Sequence, residues 1–230
     1  MNDAVSDNWL ELLRKMPSLL FGLFLFAAGV VANLHSGLGM APWGVLNVGI
    51  VNHTPLSLGQ ASQLVGLVVL LIGWALGFAP GLGTLANMYF IGLFIDLIIS
   101  WKLIPVPAET MGQVVLLFLS VGLIGIASYF YLRVRLGAGP RDGLMMGLVR
   151  RLDRPVSTIR VGIEVAVLVV GYLLGGPVGV GTLVTALTTG YAVQLAFRLG
   201  GYDKNAKHTD LRELIGALAG NGSPHKMRKN

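Results

Sequence analysis

Five stretches of this chain are long, apolar and almost free of charge: Leu19–Leu34, Leu64–Phe78, Leu82–Ile95, Val114–Leu132 and Val165–Leu187. No other feature limits the fold as much. A soluble core of this size cannot hide all of them, whereas a helical crossing of a bilayer needs about 20 apolar residues. Charged residues make up 12% of the chain, about half the roughly 25% usual for soluble domains. Mean hydropathy is +0.72. The class is a polytopic helical membrane protein whose first partner is the lipid bilayer.

Composition removes several chemistries. The chain has no cysteine, which excludes disulfides, thiolate zinc sites and thiol catalysis. Its four histidines, His35, His53, His208 and His225, show no metal-ligand spacing, so no metal and no cofactor is expected. The basic residues fall between and after the apolar runs, the pattern of cytoplasmic loops rather than of a nucleic-acid surface. Arg14 and Lys15 before an apolar run resemble a signal peptide, but more spans follow, and the segment reads as a retained first helix.

The chain repeats itself. "LGMAPWGVL" begins at Leu38 and "LGAGPRDGL" at Leu136, 98 positions later. Without gaps, seventeen of the sixty positions from Leu38 to Leu97 match those from Leu136 to Leu195. Aligned glycines and a proline (Gly39 with Gly137, Pro42 with Pro140, Gly49 with Gly147, Gly73 with Gly171, Gly92 with Gly190) lift the match above shared apolar composition.

Each repeat reads as a long helix, a Gly/Pro loop, a short segment and two more helices. The expected elements are Pro17–His35, 42–52, Ser57–Phe78 and Gly83–Trp101, then Met111–Arg133, 140–152, Ser157–Leu174 and Gly181–Leu199. Pro42 and Pro140 suit a first helical turn, and Ser57 and Ser157 suit N-caps. A segment of eleven residues makes roughly 16 Å of helix, half a bilayer core, so segments 42–52 and 140–152 are expected to dip in or lie at the interface. Three spans per repeat then leave the repeats inverted. With the N-terminus inside, sixteen of seventeen Lys/Arg fall inside, Lys102 alone outside; eight spans with parallel repeats place fewer there. On this reading the uncharged copy of the loop (Trp43, Gly44) faces out and the charged copy (Arg141, Asp142) faces in.

The expected fold is therefore all-α: a polytopic transmembrane bundle of two inverted three-helix repeats, each with a short re-entrant or interfacial helix. Residues 1–16 form a cytoplasmic segment, 17–101 and 102–199 the repeats, and 200–230 a basic cytoplasmic tail. In the tail, Asp210 and Glu213 resemble a capping box opening "LRELIGAL", with Gly220 as its stop, and "SPHKMRKN" reads as a disordered end.

At "LGMAPWGVL", "LGAGPRDGLMMGL", "RVGIEVAVLVVGYLLGGPVGVGT" and "GTLANMYFIGLFIDL" the sequence resembles the YczE/YitT-like group of bacterial integral membrane proteins, over residues 17–199. The resemblance implies a multi-pass protein of the bacterial inner membrane, and brings no substrate or reaction with it.

Ionisable groups within spans are costly, about 2.5–3.5 kcal/mol for Asp at a helix centre. Asp96 and Glu164 are the two such acids, and Arg160 stands one turn before Glu164. Asp96 aligns with Gln194 and Asn87 with Thr185, so polar character recurs at matching depths. Arg141 at a helix start has less structural reason to be there than Asp142, which the helix dipole favours. Asp96, Gln194, Glu164, Asn87, Thr185 and Arg141 are the candidate substrate or proton path, with helix packing as their alternative role. Gly39, Pro42, Gly137, Pro140 and Asp142 are the structural motif. "GGPVGVGT" lacks the Lys of a P-loop and reads as a helix–helix turn. No catalytic constellation is visible, so an enzyme is not expected. The leading expectation is a small-molecule or ion transporter; the alternative is a membrane protein that scaffolds or regulates a partner. A homo-oligomer stays open.

Overall fold

The computed structural model describes residues 2–202 and 208–219. Among these there are helices and no strands. In chain order they are α1 (Asn2–His35), α2 (Pro42–Val51), α3 (Leu58–Ala75), α4 (Leu82–Ser100), α5 (Thr110–Leu132), α6 (Pro140–Leu152), α7 (Val156–Leu173), α8 (Val180–Leu199) and α9 (Leu211–Leu218). Six of them, α1, α3, α4, α5, α7 and α8, are long and apolar enough to cross a membrane.

Two expectations change. The segment Pro17–His35 is the C-terminal part of a longer helix that starts at Asn2 and carries Pro17 inside it; a Glu11–Lys15 ion pair at 2.8 Å, one turn apart, supports the added turns. Ser157 does not cap α7, because the helix already begins at Val156 with Pro155 as its N-cap. Ser57 does cap α3: its hydroxyl accepts from Gln60 N–H while the Gln60 side chain accepts from Ser57 N–H. Asp210 caps α9 in the same way, accepting from Glu213 N–H at 2.8 Å. Gly220 and "SPHKMRKN" lie outside the described residues.

α1 and α5 form the centre and run antiparallel. Gly22 lies against Ala127 and Tyr131, whereas Gly29, two turns later, lies against Ser120 and Ile124. A Cβ on Gly22 would stand 2.7 Å from the backbone nitrogen of Tyr131. Small residues let the backbones approach this closely where lipid supplies no hydrophobic drive between helices. α4 packs on α1 and α8 on α5. The short helices cross over: α2 packs on α7 and α6 on α3. His35 Nδ1 donates to Ile104 O at 2.9 Å, which places the end of α1 beside the α4–α5 connection.

The two Gly/Pro loops are pinned by backbone bonds. Gly181 N–H donates to Leu38 O at 2.7 Å, and Gly83 N–H donates to Leu136 O at 2.6 Å. Both donors and both acceptors are 98 positions apart. Gly39 (φ +102°) and Gly137 (φ +122°) take left-handed conformations that L side chains rarely adopt. Thr84 Oγ1 accepts from Gly81 N–H at 3.0 Å and donates to Ala138 O at 2.6 Å. Thr182 Oγ1 accepts from Gly179 N–H at 3.1 Å.

One pairing is not matched by its counterpart. α3 and α4 are zipped together, with Gly59 against Gly92 and Gln63 Nε2 donating to Tyr89 O at 2.8 Å. α7 and α8 form no such interface; α7 buries only Ile159 and Gly171, and Gly190 has open space where a Cβ would stand. Accordingly, Gly59→Ala and Gly92→Ala, whose new methyls would each meet the other glycine's carbonyl, should each destabilise the fold by about 1–3 kcal/mol. Gly190→Ala should change it by less than about 0.5 kcal/mol. Unfolding midpoints of the purified variants in detergent check this; equal effects at all three positions would contradict the asymmetry.

Candidate functional site

Proline starts both short helices, and in each the next residue reaches toward the other helix. Trp43 of α2 and Arg141 of α6 stack, with the Arg141 Cζ 4.4 Å from the Trp43 ring centroid. A cation held over an indole face is worth about 0.5–2 kcal/mol. Trp43 is 8% exposed, while Arg141 stays solvent-accessible. Positions 43 and 141 are again 98 apart, so the charged and uncharged copies of the Gly/Pro sentence meet each other as well as closing two different loops.

Around the start of α6 the side chains converge. A Cβ on Gly139 would lie 3.3 Å from the Tyr131 hydroxyl, 3.5 Å from the Asp142 carboxylate and 3.8 Å from the Asn87 amide oxygen. Asp142 Oδ2 accepts from Gly139 N–H at 3.2 Å, closing the first turn. Asp142, Tyr131 and Glu164 are all within electrostatic reach of Arg141. Glu164 itself accepts from Arg160 Nε at 3.2 Å, the i,i+4 pair that the spacing offers. At the start of α2, Asn33 stands 98 positions before Tyr131. Its Oδ1 accepts from Ala41 N–H at 3.0 Å and its Nδ2 donates to Gly39 O at 3.3 Å.

Of the candidate residues, Arg141, Asp142, Asn87 and Glu164 therefore gather at this junction. The others lie elsewhere. Asp96 sits at the start of α3, accepting from Ser57 Oγ at 2.5 Å and from Gly59 N–H at 2.8 Å; it ties α4 to α3 and relieves two donors at a helix N-terminus. Thr185 is 1% exposed and donates back to Gly181 O at 2.8 Å within α8. Gln194 is exposed. Trp43, Tyr131, Asn33 and Asn47 are absent from the sequence-derived set. Trp43 was recoverable, because it aligns with Arg141 in the repeat; the other three carry no charge and no motif.

At the end of the bundle where α3 meets α4, a cavity of about 260 Å³ lies between Phe78–Thr84 and Gly137–Ala138. Arg150 and the segment His208–Asp210 complete its lining. The segment is held by Thr209 N–H to Arg135 O at 2.9 Å and Leu211 N–H to Pro80 O at 3.1 Å. α9 then lies along α1, with Asn8 Nδ2 donating to Ala217 O at 2.9 Å. At the opposite end Met40 N–H donates directly to Pro177 O at 3.1 Å. Among the described residues no three His, Asp or Glu side chains gather to hold a metal ion.

A family of unknown function, DUF6198, matches residues 13–198. The chain belongs to this family. An uncharacterised protein of Haemophilus influenzae is 36% identical over 191 residues, 83% of this chain and 87% of that one. The uncharacterised membrane protein YczE of Bacillus subtilis is 33% identical over 190 residues, 81% of this chain and 86% of YczE. YyaS of the same organism is 26% identical over 175 residues, covering 74% and 85%. No solved structure matches significantly. The chain is thus an integral membrane protein of the YczE kind.

The roof of the cavity has a pH dependence. Burial, with Arg135 nearby, holds the His208 imidazole below its usual range; its Nε2 lies 3.3 Å from the Tyr202 hydroxyl, and among the described residues its Nδ1 has no hydrogen-bond partner. Protonation therefore opposes docking of the segment. Docking is at full strength above the ordinary histidine value of about 6.5 and weakens as pH falls through it toward the lowered value. Hydrogen-exchange protection of the Thr209 and Leu211 amides, corrected for intrinsic rates, should fall between neutral and acidic pH. His208→Gln should flatten that fall; an unchanged profile would separate the imidazole from docking.

Proposed function

We propose that the protein is a transporter or permease for a small molecule or ion, built from two three-span repeats of opposite orientation, with its substrate path at the junction of α2 and α6. The observation that carries this reading is the Trp43–Arg141 stack. It joins the first turns of two helices too short to cross a bilayer, at equivalent positions of the repeat. Inverted-repeat transporters bind substrate at such breaks, where half-helix N-termini point inward. The antiparallel α1–α5 pair and the reciprocal bonds of Leu38 and Leu136 support two repeats related by an axis in the membrane plane.

Orientation follows from charge. Arg133, Arg135, Arg150, Arg151 and Arg154 cluster where α5 ends and α7 begins, and the positive-inside rule makes that end cytoplasmic. Both termini are then cytoplasmic, in a bacterial inner membrane. At the far end Met40 N–H bonds to Pro177 O, and at the cytoplasmic end the loops part around the 260 Å³ cavity.

Because the chain has no cysteine, topology is tested without removing any. Single cysteines at Asn52 and Arg150 are treated on intact cells with a membrane-impermeant thiol reagent. Labelling at 52 but not at 150 is expected; protection of both until the cells are opened would withdraw the inverted arrangement. Transport is tested in proteoliposomes against small anions, cations and neutral solutes. A protein-dependent flux lost in Arg141→Gln and reduced in Glu164→Gln is expected, and no flux with any solute would overturn the reading.

A further inference from the structure

We infer that the α2–α6 junction is an oxyanion site, taking a carboxylate or phosphoryl group against Arg141. This names the substrate class of the site proposed above and rests on that reading for its role, although binding is measurable by itself.

Four charges surround the junction, and three already have partners. Asp142 is held by Gly139 N–H, and Glu164 and Arg160 hold each other. Arg141 has the Trp43 ring beneath it and, among the described residues, neither a hydrogen-bond acceptor nor a salt bridge. A guanidinium carries five donors in its plane. The ring contact uses none of these donors in a hydrogen bond, and a pair of them can grip an oxyanion with two parallel bonds.

The opposing helix start lacks the same thing. α2 has no side-chain cap on its first-turn N–H groups and no acid there; Asn33 Oδ1 takes the Ala41 N–H, as Asp142 takes the equivalent Gly139 N–H in α6. Trp43 and Gly44 are buried, and among the described residues no side chain caps their N–H groups. Buried backbone donors are paired in the great majority of cases. One turn further on, Asn47 shares the Trp43 face by i,i+4 spacing. It is 3% exposed, and among the described residues its side chain makes no hydrogen bond, Oδ1 included. A half-turn of that amide presents its two donors instead. Arg141, the α2 first turn and Asn47 thus offer donors from one neighbourhood, and an acceptor of negative charge is what they lack.

Arg141 is exposed at the surface of the fold, so a ligand can reach it. A dissolved anion and a lipid headgroup bring the same chemistry.

The test uses the whole chain with Trp9, Trp74 and Trp101, all exposed, replaced by Phe, so that fluorescence reports on Trp43 alone. The protein is placed in phosphatidylcholine nanodiscs and titrated with inorganic phosphate, with acetate and, as a cation, with choline chloride. A saturable change with phosphate or acetate and none with choline is expected. Arg141→Gln should weaken it by about tenfold or more, and Arg141→Lys by less. Asn47→Asp supplies the acid internally; it should abolish the response and raise the unfolding midpoint, which keeps the idea testable if Arg141→Gln fails to fold. Adding phosphatidylglycerol to the discs separates the sources. A headgroup ligand shifts Trp43 emission before any titration and blunts the phosphate response, whereas a dissolved ligand leaves both unchanged. No response to phosphate, acetate or phosphatidylglycerol, or a response to choline alone, overturns the oxyanion site. Anion binding without flux would keep this site and discard transport; flux of cations without anion binding would do the reverse.

Discussion

In a bilayer, a backbone N–H or C=O outside a helix has no water to turn to, and each one left unpaired costs several kcal/mol. Everything at the centre of this molecule depends on how two non-helical loops meet that demand. In each loop a carbonyl accepts from an N–H at the start of a helix from the other half of the chain: Leu38 O from Gly181 and Leu136 O from Gly83. The bonds work only at very short range. A Cβ on Gly83 would stand 3.1 Å from Leu136 O, and one on Gly181 would stand 2.9 Å from Leu38 O. The glycines recur in both halves because the same close approach is made twice.

The position of α2 and α6 follows from those bonds. With the loops pinned, proline begins a helix on the far side of each, and the second residue of each helix projects into the centre. A tryptophan and an arginine at those places then cover each other. The rest of the bundle is less even. Asp96, Ser57, Gly59, Gly92 and Gln63 lock α3 to α4. The positions 98 further on are Gln194, Pro155, Ser157, Gly190 and Val161, which cannot form the same set of bonds, and α7 and α8 stand apart. One pair of spans is therefore tied by polar bonds, and its counterpart is not.

Much of this was legible in the sequence. Five apolar runs that no soluble core accommodates gave a polytopic membrane protein, and the structure has six helices long and apolar enough to cross; Pro140–Leu152 was read to the residue because proline and the following arginines mark both ends. Boundaries slipped where local signals competed: Ser157 resembled a cap, but Pro155 had already started the helix. The site was only half legible. Arg141, Asp142, Asn87 and Glu164 stand out as polar groups in apolar surroundings. Asp96 stands out equally, yet it caps a neighbouring helix. Polarity within a span says that a group needs a partner, without saying whether the partner is backbone or substrate.

The sequence by itself thus determined the solvent of this protein, its spans, and a repeat whose matched glycines and prolines demand equivalent backbone geometry in both halves. Only the tertiary structure decided which groups face one another. Trp43 and Arg141 are neighbours because α2 and α6 each pack on the opposite half, and the two helix starts are closed by different residues, Asp142 taking the Gly139 N–H and Asn33 the equivalent Ala41 N–H. Such relations between distant residues are set by where helices cross, and the periodicity of a single helix holds no record of them.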